Sequence, residues 1–434
     1  MVIIMKQVRI AVIGGGPAGM TAAAEASSLG AAVTLYEKNP VLGKKLAITG
    51  KGRCNVTNDC APDEVLRSVP TNPRFLYGAV SNFAPADTKA LFEGLGVPLK
   101  TERGQRVFPV SDNAHDIVDA LVSRLKTTGV TVRHEAVRSL AFAQEPDADG
   151  LRPVTGVVTA HGTFPFDRVI VCTGGLSYPG TGSTGDGYRF ARDAGLNVTD
   201  LSPSLVPLVC CEDFCAEMMG LSLKNTRLTV TKGASTKVLY EDFGEMLFTH
   251  FGVSGPMILS ASAHLDKREI SDYVLHLDLK PALDVPALDA RILRDFSGSL
   301  NKNFGNTAGA LLPAKMIPVV SRLSGIPLDE KCNTVTKEQR KRLIAVLKDF
   351  SIHVRAFRPV DEAIVTSGGV SVKELSPKTM EAKRVPHLYF AGEVIDVDAY
   401  TGGFNLQIAF STAVSAARAA AKNAEVSPCI EGNA

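Results

Sequence analysis

Hydrophobic and polar positions along this chain fall into two textures. At the start, an apolar run from Val8 to Ile13 meets a glycine turn, Gly14 to Gly19. An alanine-rich stretch from Pro17 to Leu29 stops near Gly30, and a second apolar run, Ala32 to Tyr36, ends at Glu37. This pattern predicts strand, turn, helix, strand, a βαβ unit. Helical and loop segments follow to about residue 128. Val130 to His134 predicts a further strand, and "GVVTAHGTFPFDRVIVCTGG" predicts a hairpin, then a buried strand from Arg168 to Cys172.

From about Leu196 the texture changes. "LVPLVC", "LTVTKG", "KVLYEDFGEMLFT" and "YVLHLDL" read as strands, with Pro-punctuated helical pieces between and after them. "TKEQRKRLIAVLKDF" reads as a helix whose Thr336 and Gln339 are spaced as a capping box. The first texture returns at "HLYFAGEVID", and a helix from Asn405 to Lys422 follows. The expected organisation is α/β: a Rossmann-like domain in two segments, 1–194 and 354–434, with a mixed β and α domain inserted at 195–353.

Composition adds limits. The 434 residues are 45% hydrophobic and 21% charged, a globular balance, and the net charge of +2 makes no case by itself for nucleic acid or a membrane. The N-terminal apolar run is broken by Lys6, Gln7 and Arg9, unlike a signal peptide, and no apolar stretch nears the roughly 18 residues of a membrane span. A cytoplasmic location is expected. The eight cysteines, Cys429 among them, show no C-x-x-C spacing, so reduced thiols are expected and no metal site.

The glycine turns carry the chemistry. Gly14-Gly-Gly-Pro-Ala-Gly19 fits G-x-G-x-x-G after a strand and before a helix. Gly14 permits the tight turn, Gly16 lets a pyrophosphate approach the backbone, and Gly19 lets helix and strand pack closely. The helix N-terminus favours phosphate charge, and Glu37 has the position of a ribose-binding acid. Two more apolar strands end in turns: "VIVCTGG" in Thr173, Gly174 and Gly175, and "HLYFAGEVID" in Gly392 and Glu393, with Asp396 beyond. Three such strand ends in this order are similar to the FAD domain of glutathione-reductase-like flavoproteins. There the last strand offers an acid to the ribityl chain, and Asp396 is favoured slightly over Glu393. "DAYTGGFNLQIAFSTA" sets Gly402, Gly403, Asn405, Leu406 and Gln407 at the start of the final helix, where a helix N-terminus can stabilise negative charge.

With "GKKLAITGKGRCNVTN", "TGGLSYPGTGSTGDGY" and "GEMLFTHFGVSGP", these motifs make the chain resemble, over nearly its whole length, the BaiN/YhiN-like flavoproteins, the aminoacetone oxidase family. The resemblance implies a glutathione-reductase-type, Rossmann-like FAD domain interrupted by a small β-barrel with a helical part. It implies a cofactor-binding set that also includes Pro17, Ala18, Lys38, Val137 and Phe404. In this light "LAITGKGRCNVTN" is a loop facing the cofactor. Gly50 and Gly52 open its backbone, Lys45 and Arg53 are expected nearest the ligand, and Thr49 and Asn55 supply hydrogen bonds. Cys54 lacks a cysteine placed as redox partner, so a packing role is expected.

His250, Tyr178 and Tyr400 are candidate proton donors; each also has an ordinary role as a satisfied core or barrel side chain. No second complete dinucleotide motif is present, so NAD(P)H as electron donor would visit transiently. The leading expectation is an NAD(P)H-driven reductase of an electron-poor C=C bond, either in a small enone or in a uridine of ribosomal RNA, giving dihydrouridine. The RNA form requires a basic surface, for which "NPRFLYGAV", "KTERGQRVF" and "TKEQRKRLIAVLK" are candidates. A flavin amine or amino-acid oxidase and a non-catalytic FAD-binding module are the alternatives.

Overall fold

The computed structural model describes residues 7–233 and 235–422. Cys429 lies outside them. The chain divides into two compact units, Met1–Ser202 with Val365–Ala434, and Pro203–Ile364.

The first unit is built on a five-stranded parallel sheet, in the order Leu388–Phe390, Arg168–Val171, Arg9–Ile13, Ala32–Tyr36, Thr131–Arg133. The central strands are buried on both faces, as their unbroken Val/Ile/Leu character requires. Register aligns the strand ends. Ile13 sits beside both Tyr36 and Val171, and Val171 beside Phe390. The glycine turns that follow therefore leave the same edge of the sheet. The first strand has neighbours reached in opposite directions, which opens a crevice at its carboxyl end.

The first helix, Pro17–Ser28, packs against the final helix, Phe404–Ala420. Alanines and other small residues on both permit that approach. One antiparallel three-stranded sheet (Ser139–Phe142, Val154–Thr159, Gly162–Pro165) lies beside the parallel one; another (Thr57–Asn58, Leu99–Glu102, Arg106–Pro109) lies beside the final helix.

The second unit has its own apolar core and a closed six-stranded antiparallel barrel. Its strands run Leu208–Cys210, Gly252–Ser254, Tyr240–Thr249, Ser222–Lys232, Tyr273–Asp278, Phe350–Phe357 and back. Helices Val285–Ser297, Ile317–Ser324 and Lys337–Lys348 accompany it. The last carries the expected capping box: Thr336 N–H donates to Gln339 at 2.8 Å, and Gln339 N–H to the Thr336 hydroxyl at 3.2 Å.

The observed boundaries differ from 195 and 353 for a physical reason. Thr199 N–H donates to the Gly369 carbonyl and Ser371 N–H to that of Asn197, which ties residues 197–199 to the first unit. Strand Phe350–Phe357 pairs with Leu208–Cys210 through Phe357, so the barrel cannot close without residues beyond 353. Among the described residues, no helix is long and apolar enough to cross a membrane.

Candidate cofactor site at the strand ends

The first turn has the geometry its glycines permit. Gly14 has φ 107° and donates its N–H to the Tyr36 carbonyl at 2.8 Å. A Cβ on Gly14 would lie 2.5 Å from the Cys172 carbonyl oxygen, and one on Gly19 would lie 1.8 Å from that of Gly14. Gly16 is the opposite case, with no atom within 4 Å of a Cβ built there. The helix that begins at Pro17 has no side-chain cap, so its first N–H groups stand beside open space, a cradle suited to phosphate. Glu37, buried, accepts the Gly15 N–H at 2.7 Å and the Asn39 N–H at 2.8 Å, which braces the turn. Lys38 instead reaches Thr184 and Asp186, the latter at 2.6 Å.

The next two turns share one ionic cluster. Glu393 accepts from Lys45 Nζ at 2.8 Å, from the Ser177 hydroxyl at 3.0 Å and from Thr366 N–H at 3.0 Å. A Cβ on Gly175 would lie 2.8 Å from the Glu393 carboxylate, so this acid stays beside the Thr173-Gly174-Gly175 turn. Gly392 has φ 79° and a Cβ there would be 2.9 Å from that of Ala18, which brings the last strand end onto the start of the first helix. Asp396 turns elsewhere. It accepts from Asn72 Nδ2 at 3.2 Å, and burial holds its carboxyl above the usual range against the opposing bonds of Thr199 and Asn72. Val137 is buried just beyond the strand Thr131–Arg133.

The loop after the second strand folds through Leu46–Ile48 and Thr49–Gly52, with left-handed Gly50 and Lys51. Thr49 donates its hydroxyl to the Leu46 carbonyl at 2.7 Å. No atom lies within 4 Å of a Cβ built on Gly52. Arg53 departs from expectation. Its guanidinium binds Glu102 and Asp112, both at 2.5 Å, and lies 4.2 Å from the centre of the Phe108 ring. Two carboxylates satisfy it there, so its charge is spent within the antiparallel sheet. Cys54 is fully buried, and burial pushes its thiol up to about 12.

This loop and the final helix hold each other. A Cβ on Gly403 would lie 2.4 Å from the Thr57 backbone, and Asn58 Nδ2 donates to the Gly402 carbonyl at 3.1 Å. Asn405 receives Ala399 N–H at 2.9 Å and donates to the Ala399 carbonyl at 2.6 Å. Phe404 and Leu406 are half-buried at the helix start. Gln407, fully buried, accepts from Thr57 and Thr88 and donates to the Phe83 carbonyl and to Ser411.

The three candidate proton donors fall in different units, Tyr178 and Tyr400 in the first and His250 in the second. Tyr178 is exposed, in a left-handed conformation. Tyr400 is half-buried, with its N–H bound to the Ser68 carbonyl at 2.9 Å. His250 belongs to the barrel unit, exposed in the turn between strands Tyr240–Thr249 and Gly252–Ser254. Of the residues that hold Glu393, Lys45 was singled out from sequence but Ser177 and Thr366 were not, nor were Thr88 and Phe83 around Gln407. Ser177 stands inside a quoted motif, but Thr366 has no local signal.

The row of strand ends suits FAD on the evidence of its own atoms. Open space adjoins Gly16 and Gly52, and the buried oxygens Thr173 Oγ1 and Asn55 Oδ1 have no hydrogen-bond partner among the described residues. Such atoms are costly unless a ligand or water meets them.

Comparison with known proteins agrees. Residues 8–419 match the HI0933-like protein Rossmann domain family. The chain is 32% identical over 426 residues to the 3-dehydro-bile acid delta(4,6)-reductase of Clostridium scindens, covering 95% of this chain and 99% of that one. It is 31% identical over 415 residues to the ribosomal RNA dihydrouridine synthase of Escherichia coli, covering 95% and 98%. Among solved structures, the 3-ketosteroid delta1-dehydrogenase of Sterolibacterium denitrificans has the same fold at a TM-score of 0.50 and 13% identity, covering 95% of this chain and 99% of that one. The chain belongs to the HI0933-like Rossmann family, and it is an FAD-dependent oxidoreductase.

Proposed function

We propose that the protein is an NAD(P)H-driven reductase of a C=C bond conjugated to a carbonyl, in a small enone or in a uridine. The observation that carries this reading is the pairing of the three cations expected to face the cofactor. Lys45 is paired with Glu393, Lys38 with Asp186, and Arg53 with Glu102 and Asp112. An amino-acid oxidase that grips a substrate carboxylate through Lys38, Lys45 or Arg53 would need that cation free. A neutral enone or a uracil ring needs none. Two relatives of almost full coverage carry names for making saturated products, a delta(4,6)-reductase and a dihydrouridine synthase.

The bound FAD supplies the hydride chemistry. Gly14, Gly16, Pro17, Ala18 and Gly19 would hold its pyrophosphate, and Glu37 its ribose. Glu393, rather than Asp396, would meet the ribityl chain, since Lys45, Ser177 and Thr366 hold its carboxylate beside the Thr173-Gly174-Gly175 turn. The first N–H groups of the final helix, next to Gly403, favour negative charge at the ring end. Tyr400 is the donor candidate whose backbone is fixed in that same loop, so its hydroxyl is the proposed proton source. Tyr178 and His250 remain in the set to be tested.

The experiment is anaerobic. The yellow protein is mixed with excess NADH or NADPH and its oxidised-flavin absorbance is followed. Rapid bleaching is expected with one of the two. Absorbance that persists with both, yet falls when an amine or amino acid is added, would overturn the reading in favour of an oxidase.

A further inference from the structure

One loop of the first unit is firmly held yet presents a side chain that the core does not use. After the Thr173-Gly174-Gly175 turn the chain runs through Ser177 and Tyr178 into a short helical turn, Pro179–Thr181. Tyr178 has φ 52° and ψ 58°, a left-handed backbone that a tyrosine adopts only at a cost in free energy. It is 37% exposed, and among the described residues its hydroxyl has no hydrogen bond and its ring no aromatic partner. Core packing therefore does not account for it.

Its neighbours fix this strained residue in place. Thr181 donates its N–H at 2.8 Å and its hydroxyl at 2.7 Å to the Tyr178 carbonyl. Asn39 Nδ2 donates to the Thr181 carbonyl at 3.1 Å and to Glu37 at 2.7 Å, which ties the loop to the acid that braces the first glycine turn. On the other side Ser177 is fully buried; its hydroxyl donates to Glu393 at 3.0 Å and accepts from Lys45 Nζ at 2.6 Å. An exposed ring thus stands one residue from the ionic cluster at the strand ends.

A cation and an open backbone accompany it. Lys44 Nζ donates to the Gly180 carbonyl at 2.8 Å. Lys38 and Lys45 are paired with Asp186 and Glu393, whereas Lys44 is exposed and has no ion pair among the described residues. No atom lies within 4 Å of a Cβ built on Gly180. The stretch Gly180-Thr-Gly-Ser-Thr-Gly185 has the G-x-G-x-x-G spacing without a strand directly before it. The helix it enters, Asp186–Asp193, carries a carboxylate in its first turn, so Lys44 and the backbone at Gly180 are what the loop offers an anion.

We infer that this loop is the docking site of the nicotinamide electron donor: the dihydronicotinamide ring stacks on Tyr178, and the pyrophosphate meets Lys44. This rests on the reductase reading and adds to it the place where the donor binds. The first glycine turn is taken by FAD, so a second dinucleotide has to be held by other means. Every nicotinamide dinucleotide brings a planar ring and an anion, and an exposed aromatic side chain with an unpaired lysine held at Gly180 matches both. In this role the Tyr178 ring acts and its hydroxyl does not.

The test is anaerobic reduction of the FAD-loaded protein with no acceptor present, so that effects on the substrate do not enter. Loss of oxidised-flavin absorbance reports hydride transfer to the flavin, with the donor leaving in its oxidised form, and its dependence on donor concentration gives an apparent Kd. Two donors are compared: NAD(P)H, and N-benzyl-dihydronicotinamide, which keeps the ring and lacks the phosphates. Tyr178→Ala should raise the apparent Kd about two- to tenfold for both, the range of one aromatic contact. Tyr178→Phe keeps the ring and should bind both donors as the unaltered protein does. Lys44→Ala should raise the apparent Kd for NAD(P)H alone, and less so at high salt. Flavin absorbance per chain reports that each variant is folded and loaded. An unaltered Kd in both alanine variants, or a Tyr178→Phe variant as impaired as Tyr178→Ala, would overturn the inference and leave the reductase reading standing. An unaltered protein bleached by neither NADH nor NADPH would overturn that reading, and the inference with it.

Discussion

At the scale of single residues, legibility follows what the chemistry demands locally. Gly14 and Gly19 were readable because their roles consist of lacking a side chain, and a Cβ on Gly19 would overlap a carbonyl at 1.8 Å. Glu37, expected as a ribose-binding acid, is seen bracing the first turn through the Gly15 and Asn39 N–H groups, a use that the spacing did not announce. Arg53 was not. Its partners Glu102 and Asp112 are 49 and 59 positions away, and nothing near Arg53 in the chain announces them. That misplacement also decides Cys54. With the guanidinium drawn to two carboxylates, burial dominates and keeps the thiol protonated up to about pH 12. Cys54→Ser should therefore bind FAD normally and keep activity within about twofold, with an unchanged pH profile below 9, since a group that stays neutral there adds no titration step. Loss of activity with FAD still bound, measured by steady-state turnover and flavin absorbance, would contradict this.

At the scale of elements, the final helix shows what periodicity can and cannot supply. Its extent and glycine-rich start were readable, and it spans Phe404–Ala420 as an apolar, small-residue run requires. Its anchor was hidden. Gln407 looks like an ordinary polar residue in sequence, yet its amide is fully used by Thr57, Thr88, Phe83 and Ser411 in the interior. Gln407→Leu would leave the two threonine hydroxyls without their acceptor, at about 1–3 kcal/mol for each buried group. The melting temperature should fall by several degrees, and the flavin absorbance maximum should shift, because the helix start that Gly403 and Thr57 hold is loosened. A variant with the unaltered melting temperature and spectrum, measured by thermal denaturation and absorbance, would show that the four bonds do not fix the helix.

At the scale of the whole molecule, two textures in the sequence correspond to two compact units, each with its own core. The parallel sheet was legible from its strand-turn-helix units. The closed barrel was expected through the family resemblance, whereas the residues by themselves read only as a series of strands, since closure depends on pairing between Leu208–Cys210 and Phe350–Phe357, which are about 140 residues apart in the chain. Tyr178 and Tyr400 are in one unit and His250 in the other. In the proposed reading the first unit holds FAD along its strand ends and uses it to saturate a conjugated C=C bond. The most direct measurement is mass spectrometry of a uridine-rich RNA and of a 4-en-3-one steroid after incubation with the FAD-loaded protein and NADPH under nitrogen. One of them should gain the mass of two hydrogen atoms, in proportion to the NADPH consumed. Neither gaining mass, while an amine substrate is oxidised and peroxide accumulates in air, would contradict it.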